Sequence, residues 1–460
     1  MQRRSQTDIA ARGVVAPVSV RSATTDTGEP AERGDQSTIS SIHIPSVHRC
    51  KRGIGGWSEQ LEEFLKYFLK FFSVPICLLF VVGCGGVSTR LLPPDGTVAQ
   101  TGWPRALRLL LGTQLAPTAD VIEVAVCKVP LSTTDPIYGQ LPLRLTLTPA
   151  DLASKLNTTV TAYFEALSHG LYHPTFIAGA TLEMSSDETH DHCVERAIDT
   201  SAQQTSVVMV VGNAEHLADQ SGGWGRVGLP CSARFCSALK TRRALYVGAS
   251  DFHPSWGATP AVDLTEHEIG HTLGLPHSGD PDSANQHASD IDLMSNSAAP
   301  RTTRPDSRNG PDTLAINRVV LGWLPVSAIT VAAPGGATFV LSPSTGSTGL
   351  RMVVLPVRDG SFLTVEYLTA DGFNEFLPTA GVAVHRIDQG AAACTHGDDA
   401  GSEPAESCIG VQRVQETLGS AAPHLQLLAT NGDSWQLNGW TITVGTPGST
   451  MQVEVRPADG

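Results

Sequence analysis

The pattern of hydrophobic and polar positions predicts alternating strands and helices between residues 121 and 248. Residues 121–129 form a nearly continuous run of β-branched and apolar side chains, which is typical of a strand covered on both faces. Residues 206–211 and 244–248 form two similar runs, each bounded by polar or glycine-rich turns. We therefore expect an α/β region whose strands include these three segments.

One amphipathic helix is predicted between the first two of these strands. Thr148 can cap its N-terminus, Pro149 suits the first helical position, and Asp151 places an acidic side chain in the first turn. Gly170 is expected to stop the helix. The apolar side chains between these points share one helical face: Leu152, Leu156, Val160, Tyr163, Phe164 and Leu167. Core packing is sufficient to explain that face.

A different pattern begins near residue 325, where short apolar segments alternate with Gly, Pro, Ser and Asp. Strands at such intervals without intervening helices predict a β-sandwich or a similar all-β module. The expected strands are residues 337–341, 352–357, 362–367, 382–387, 440–444 and 451–455. The predicted fold class is therefore α+β, with a mixed domain over residues 85–325 and a β-rich, sandwich-like domain over residues 326–460.

The N-terminal region predicts an extension followed by an export signal. Residues 1–58 are rich in Ser, Thr, Arg, Gly and Asp and show no periodicity, so we expect a disordered extension, or a translation start assigned too far upstream. Within residues 59–84, Lys66 and Lys70 lead into an apolar run that ends in Val81-Val82-Gly83-Cys84. The run is shorter than the roughly 20 residues that a transmembrane helix needs.

The end of this signal resembles the lipobox of bacterial lipoproteins. The resemblance implies that Cys84 carries lipid, becomes the mature N-terminus and attaches the protein to the outer surface of a membrane. An ordinary signal peptide or a short signal anchor remains the alternative. In each case the sequence predicts an extracytoplasmic protein, either membrane-anchored or secreted.

Net charge and cysteine content limit the partners and the kinds of cysteine site that the protein can have. The chain has 31 Lys and Arg against 45 Asp and Glu, a net charge of −14, which argues against a nucleic-acid partner. Three of its nine cysteines lie at or before Cys84, and the even number that remains indicates disulfides in an exported protein. Short separations favour Cys231–Cys236 and Cys394–Cys408, which leaves Cys127–Cys193 by elimination. A thiolate zinc site would need a tighter pair such as Cys-x-x-Cys, which is absent.

The strongest chemical signal is the segment His267-Glu268-Ile269-Gly270-His271-Thr272-Leu273-Gly274-Leu275-Pro276-His277. Thr259 and Pro260 predict the start of the helix that carries it. His267 and His271 are four residues apart, so both imidazoles leave the same helical face and can reach one ion. Gly274 can adopt a backbone conformation that ends the helix, which allows His277 to return to the same ion.

These residue types match the requirements of zinc-dependent hydrolysis. Three imidazoles and a water form an open tetrahedral zinc site, so we expect Zn²⁺ as the cofactor, held by His267, His271 and His277. Zinc lowers the pKa of its bound water and polarises a substrate carbonyl. Glu268 is placed to take the proton of that water as a general base and to pass it to the leaving amine.

The motif resembles the signature of the metzincin clan of zinc metallopeptidases. Asp290-Ile291-Asp292-Leu293-Met294-Ser295 is similar to the methionine turn that metzincins carry beneath the metal, with Met294 17 residues past His277. The resemblance implies that Met294 is a packing residue under the site. It also implies that residues 85–325 form the catalytic domain, a twisted sheet with an active-site helix.

Segments outside the motif are similar to the gametolysin and immune inhibitor A groups of the clan. They are residues 317–324, 365–367 and 381–388. Ser278 after the third histidine is typical of matrixins instead, but the cysteine-switch propeptide is absent and the long β-rich tail departs from that group. The resemblance covers residues 259–388, with weaker similarity to residue 456, and implies protein or peptide substrates.

The expected function is therefore a secreted or surface-anchored zinc endopeptidase. Two alternatives stay open: a catalytically inactive, zinc-binding surface adhesin or interaction protein of the same fold, and a zinc hydrolase with a non-protein substrate. Glu268 favours an enzyme, because a binding module has no use for a carboxylate aimed at a metal-bound water. Calcium is a weaker expectation, because no EF-hand pattern accompanies the nearby acids Asp280, Asp282, Asp290 and Asp292.

Overall fold

The structure is a computed structural model that describes residues 103–112, 118–130, 134–135, 139–140, 145–185, 187–214, 222–230, 241–253, 256–278, 287, 289–358, 361–388, 412–414 and 427–458. All of them belong to one compact unit, Gly83–Gly460. Within this part of the chain, no helix is both long and apolar enough to cross a membrane. Several predictions concern residues outside the described ranges. They are the disordered extension at residues 1–58, the signal at residues 59–84 with Cys84, and the disulfides Cys231–Cys236 and Cys394–Cys408.

The described part is a mixed α/β structure with several sheets. Its helices are α1 Arg105–Gly112, α2 Pro149–Thr158, α3 Val160–Leu167, α4 His190–Thr200, α5 Asp263–Thr272, α6 Ala299–Thr303 and α7 Ala315–Val320. Short 3-10 helices span Ala249–Phe252, Val326–Ala328 and Gly372–Asn374. The strands are β1 Ala119–Lys128, β2 Thr134–Asp135, β3 Gly139–Gln140, β4 His173–Glu183, β5 Val207–Gly212, β6 Gly223–Pro230, β7 Thr241–Val247, β8 Ile329–Val331, β9 Ala337–Leu341, β10 Met352–Arg358, β11 Ser361–Leu368, β12 Gly381–Asp388, β13 Gln412–Val414, β14 Ser434–Leu437, β15 Trp440–Val444 and β16 Met451–Pro457.

The first sheet has five strands in the order β4-β1-β5-β7-β6. Strands β4, β1, β5 and β7 run parallel, and β6 pairs antiparallel with β7 at the edge. The three strands predicted from apolar runs are confirmed as β1, β5 and β7, the three inner strands. Their continuous apolar character follows from this position, because both faces of a parallel sheet are covered.

Alternate side chains of the inner strands enter two separate cores. Val124 and Val126 of β1 face a large cluster that includes α2, α3 and α5. Ala125 and Cys127 face the opposite cluster, which contains α4. On that side, Cys127 forms a disulfide with Cys193 of α4, with 6.4 Å between the Cα atoms. This is the pair that the sequence left by elimination.

The amphipathic helix after residue 148 is confirmed at its start but divides in the middle. The Thr148 hydroxyl accepts the Asp151 amide, and the Asp151 carboxylate accepts the Thr148 amide, which forms a capping box. The helix is interrupted at Thr159, where the hydroxyls of Thr158 and Thr159 both donate to the Lys155 carbonyl. These side-chain hydrogen bonds compete with the helical backbone ladder, so α2 and α3 are separate helices.

The second half of the chain forms two antiparallel-rich sheets that share a core. One has the order β13-β12-β11-β10-β8 and the other the order β14-β15-β16-β9. Side chains from both sheets, such as Val353 and Leu363 of the first and Ile442 and Val453 of the second, form one hydrophobic cluster. All six strands predicted in this region are confirmed, as β9, β10, β11, β12, β15 and β16.

The sheet β13-β12-β11-β10-β8 is also covered on the face that points away from the sheet β14-β15-β16-β9. Met352, Val354 and Phe362 on that face join the same cluster as Trp323 and the helices of the first half. The cluster therefore crosses the predicted boundary between residues 325 and 326. The division into two domains at that point stays a prediction.

Candidate metal centre

Helix α5 carries His267, Glu268 and His271 beneath the edge of the first sheet. The prediction that Thr259 and Pro260 open this helix is wrong, because α5 begins at Asp263. The Asp251 carboxylate, from the preceding 3-10 helix, accepts hydrogen bonds from the amide and the hydroxyl of Thr265, at 3.1 and 2.9 Å. A residue distant in sequence therefore takes the capping role that the local pattern assigned to Thr259.

The chain leaves α5 through a tight turn that returns His277 to the helix. Gly274 has φ of +87°, a left-handed conformation that side chains with a β-carbon rarely adopt. The amides of Gly274 and Leu275 donate to the carbonyls of His271 and Gly270, at 2.9 and 3.1 Å. The role expected for Gly274 from the sequence is therefore the one that it has in the structure.

The three histidines meet through their Nε2 atoms. The Nε2–Nε2 distances are 3.1 Å for His267 and His271, 3.0 Å for His271 and His277, and 3.2 Å for His267 and His277. Three nitrogens bound tetrahedrally to zinc at 2.0–2.1 Å lie about 3.3 Å apart. The triangle therefore has close to the dimensions that a zinc ion requires, and its three imidazoles are donors of the type that zinc prefers.

Two of these imidazoles are oriented through their other ring nitrogen. Nδ1 of His267 lies 2.7 Å from the Leu293 carbonyl oxygen, and Nδ1 of His271 lies 2.8 Å from that of Leu275. A carbonyl can only accept, so each Nδ1 carries the proton and each Nε2 presents a lone pair. Metal-bound histidines commonly donate a hydrogen bond from their other ring nitrogen to a backbone carbonyl in this way.

Burial keeps these imidazoles neutral. It lowers the pKa of His267 to about 3, with a further contribution from the charge of His277. It also lowers the pKa of His271 well below its ordinary value, again with His277 next in importance. Because metal binding requires the neutral form of histidine, both side chains are ready to bind a metal at neutral pH.

Glu268 lies next to the histidines and against the edge strand. One carboxylate oxygen and the ligand nitrogens of His267 and His271 all lie within 4.8 Å of one another. The side chain is buried, and its Cγ and Oε1 fill the space beside Gly223 of β6 that a β-carbon there would occupy. A carboxylate in this position can accept a proton from a water bound between the histidines.

Met294 lies directly beneath the helix segment that joins the two helical histidines. It is fully buried, and its sulphur fills the space where a β-carbon of Gly270 would be. Its carbonyl accepts the Ser278 amide at 2.9 Å, which ties the segment after His277 to the segment around Met294. The packing role expected for Met294 agrees with this placement.

The acidic residues near the site have structural partners. The buried Asp292 carboxylate accepts hydrogen bonds from the hydroxyls of Ser278 and Thr313 and from the side chain of Asn317. Asp290 accepts from the Asn296 side chain at 2.6 Å. Asp280 and Asp282 lie outside the described residues. Among the residues that the structure does describe, histidines and Glu268 form the groups with metal-ligand spacing, and these aspartates do not.

The structure adds one residue that the motif does not contain. The ligand nitrogens of His287, His267 and His277 lie within 4.8 Å of one another. The His287 ring centroid is 4.6 Å from that of His277 and 5.9 Å from that of His267. His287 follows His277 by ten residues in a polar segment. No regular spacing connects the two, so the sequence gives no signal for this proximity.

Comparison with known proteins adds no relative. No protein-family model matches the chain, and no curated protein matches it significantly. The functional argument therefore depends on the motif and on the geometry of the site.

Proposed function

We propose that this protein is a zinc-dependent endopeptidase of the metzincin type. The observation that carries the proposal is the convergence of three imidazole Nε2 atoms, 3.0–3.2 Å apart, with a buried carboxylate beside them. His267, His271 and His277 are the proposed metal ligands, and Met294 supports the helix beneath them. The placement of Met294 and the resemblance of the motif to metzincins support the same conclusion.

The chemistry divides between metal binding and proton transfer. Zinc held by the three histidines would supply a Lewis acid and a water of lowered pKa. Glu268 would receive the proton of the attacking water and deliver it to the amine of the departing peptide fragment. Its burial against Gly223 holds the carboxylate close to the histidines, which favours this transfer by proximity.

The edge strand β6 supports an extended peptide as the substrate. Within the described residues β6 pairs with β7 along one edge, and its other edge carries no strand. Gly223 and Gly225 bring β6 into direct contact with Glu268 and His271 of α5. An extended peptide added to such an edge through main-chain hydrogen bonds would pass the catalytic residues. A peptide bound along β6 in this way would bring one of its peptide bonds within reach of Glu268 and the metal ligands.

The organisation and location of the protein are part of the proposal. Residues 85–325 would be the catalytic domain, and residues 326–460 a β-rich domain packed against it. The Cys127–Cys193 disulfide supports an extracytoplasmic location, since such bonds persist in oxidising compartments. Lipid at Cys84 would anchor the protein to a membrane surface.

The test separates metal binding from catalysis with two variants of the full chain. His271→Ala removes a metal ligand, so the protein should lose both its zinc and its hydrolysis of casein. Glu268→Gln preserves the size of the side chain and all three imidazoles, but the amide cannot accept the proton. This variant should bind about one zinc per chain, as the unaltered protein does, while casein hydrolysis falls by a factor of about 10² to 10⁴.

The outcomes distinguish the proposal from its alternatives. Zinc binding without hydrolysis of casein or gelatin by the unaltered protein would favour the zinc-binding adhesin or the hydrolase of another substrate. Equal hydrolysis by Glu268→Gln and the unaltered protein would show that Glu268 is not the general base. An absence of bound zinc in the unaltered protein, measured after dialysis against zinc at neutral pH, would refute the metal centre itself.

A further inference from the structure

A fourth histidine faces the proposed metal centre from outside the motif. The ligand nitrogens of His287, His267 and His277 form a group with a spread of at most 4.8 Å, and the His287 and His277 rings meet edge to face at 4.6 Å. His287 is exposed, whereas His267 is buried. It therefore lies on the open, solvent-facing side of the histidine triangle.

The hydrogen bonding of His287 resembles that of the proposed ligands. Its Nδ1 lies 3.2 Å from the Ser295 carbonyl oxygen, just as Nδ1 of His267 and of His271 each lie near a backbone carbonyl. Because a carbonyl can only accept, Nδ1 of His287 carries the proton, and Nε2 keeps the lone pair that could bind a metal. This orientation is an independent indication of a ligand role.

The carbonyl that orients His287 belongs to a well-connected turn. The Ser295 amide donates to the Asp292 carbonyl at 3.0 Å, and the Ser295 hydroxyl accepts the Ser289 amide at 3.0 Å. Asp292 is in turn a buried acceptor for Thr313 and Asn317. The turn that positions Met294 beneath the triangle therefore also positions His287 at its open side.

We propose that His287 provides a fourth nitrogen to the metal of the resting protein and is displaced when a peptide carbonyl enters. This inference rests on the metal centre of the proposed function and adds a latent state to it. Zinc with four nitrogen ligands has a complete tetrahedral shell, so no position remains for the attacking water. In this exchange the coordinate bond from Nε2 of His287 would break and a coordinate bond from the entering carbonyl oxygen would form, with no change in oxidation state.

The required movement is small. The ligand nitrogens of His267, His277 and His287 lie at most 4.8 Å apart, whereas nitrogens that share one tetrahedral zinc lie about 3.3 Å apart. With respect to His267 and His277, a shift of at most about 1.5 Å would therefore bring the His287 nitrogen to the separation found around zinc. Exposure of the ring permits such a shift, while the Ser295 carbonyl keeps it directed towards the site. Reversal of the shift opens the coordination position for a substrate.

The decisive experiment counts the imidazoles bound to cobalt. Co²⁺ replaces zinc in the full-length protein, and each bound imidazole with a protonated Nδ1 gives one exchangeable, strongly shifted proton resonance in the NMR spectrum. His287→Ala should remove one of these resonances. The matched control is His173→Ala, which alters an exposed histidine of β4 that contacts Glu165, and it should remove none.

Zinc affinity and activity provide the second readout. His287→Ala should raise the zinc dissociation constant by about 10- to 100-fold in competition with a chromogenic chelator, since a group that holds the metal is lost. Its kcat/KM for a peptide substrate, at saturating zinc, should exceed that of the unaltered protein, because the competing ligand is gone. His173→Ala should match the unaltered protein in both measurements.

The resonance count decides the result. An unchanged count in His287→Ala, in a cobalt protein that still shows the imidazoles of the other three histidines, would overturn the inference and leave the proposed function intact. An absence of shifted imidazole resonances in the unaltered cobalt protein would overturn both. Loss of one resonance in His287→Ala alone would establish His287 as a ligand of the resting metal.

Discussion

Met294 and Gly270 interlock beneath the histidines: the Met294 sulphur lies where a β-carbon of Gly270 would be, and Cε lies 3.2 Å from that position. Gly270 separates His267 from His271 on α5, so this contact supports the segment that presents both imidazoles. Met294 is fully buried, which limits its freedom to move aside. The pair therefore fixes how closely α5 approaches the turn below it.

Gly270→Ala should destabilise the protein by about 1–2 kcal/mol, even though alanine is the better helix former by about 1 kcal/mol, because overpacking of a full core costs more. In a Met294→Ala background the same substitution should be stabilising, since the sulphur is gone and only the helix preference remains. Urea unfolding of the two single variants and the double variant measures both effects.

The effect of Gly270→Ala on the free energy of unfolding differs between the unaltered protein and the Met294→Ala variant, and this difference is the coupling energy of the pair. We expect about 2–3 kcal/mol, within the range found for residues in direct contact. A coupling energy near zero would mean that Met294 does not support α5 through Gly270. Casein hydrolysis by the variants then reports whether loss of this support also displaces the histidines.

The edge strand and the catalytic helix are in equally close contact at Gly225. A β-carbon at this position would overlap the Glu268 carbonyl oxygen and lie 2.8 Å from Cβ of His271. Gly225→Ala should therefore separate β6 from α5, with a loss of stability towards the upper end of about 1–3 kcal/mol. Casein hydrolysis should fall by about 10²-fold, because small displacements of catalytic groups are costly.

Gly228 in the same strand provides a matched control. Among the described residues, a β-carbon there meets only Cγ2 of Thr241, at 3.5 Å, an ordinary van der Waals distance. Gly228→Ala should stabilise the protein by about 0.5–1 kcal/mol, because glycine is unfavourable in a strand. Thermal unfolding of both variants tests the contrast. Equal effects at the two positions would show that the helix does not constrain β6.

A buried carboxyl group predicts how stability depends on pH. Glu366 of β11 accepts the amide of Ala315, the first residue of α7, at 2.9 Å, and burial raises the pKa of Glu366 to about 7 from 4.5. The native protein therefore keeps a proton that the unfolded chain loses above pH 4.5. Stability from this group is present below pH 4.5 and falls as the pH rises to about 7, by about 3 kcal/mol in all.

Glu366→Gln removes this titration while an amide oxygen can still accept from Ala315. The free energy of unfolding of Glu366→Gln, minus that of the unaltered protein, should increase by about 2–3 kcal/mol between pH 5 and pH 8. Urea unfolding at the two pH values measures it. Glu183→Gln, at an exposed position of β4, is the control and should show no comparable increase. If the difference in free energy of unfolding between Glu366→Gln and the unaltered protein is the same at pH 5 and pH 8, the pKa of Glu366 is not raised in the native protein.

The sequence determined the features that depend on neighbours a few residues away. The capping box of Thr148 and Asp151, the four-residue spacing of His267 and His271, and the left-handed turn at Gly274 all lie within one or two helical turns. Continuous apolar runs likewise predicted the inner strands of the first sheet, since burial on both faces leaves a direct compositional trace. These interactions are local or one-dimensional, so a linear pattern records them.

The tertiary structure decided the features that join distant segments. Strand β6 has few strand-forming residues, and its glycines make sense only beside α5, where Gly223 and Gly225 leave room for Glu268 and His271. Asp251 rather than Thr259 caps α5, and His287 reaches the histidine triangle from a segment with no regular spacing. In each case the partner is brought close by the path of the chain. No local periodicity or propensity encodes such an encounter, because its geometry is set by the packing of the whole fold.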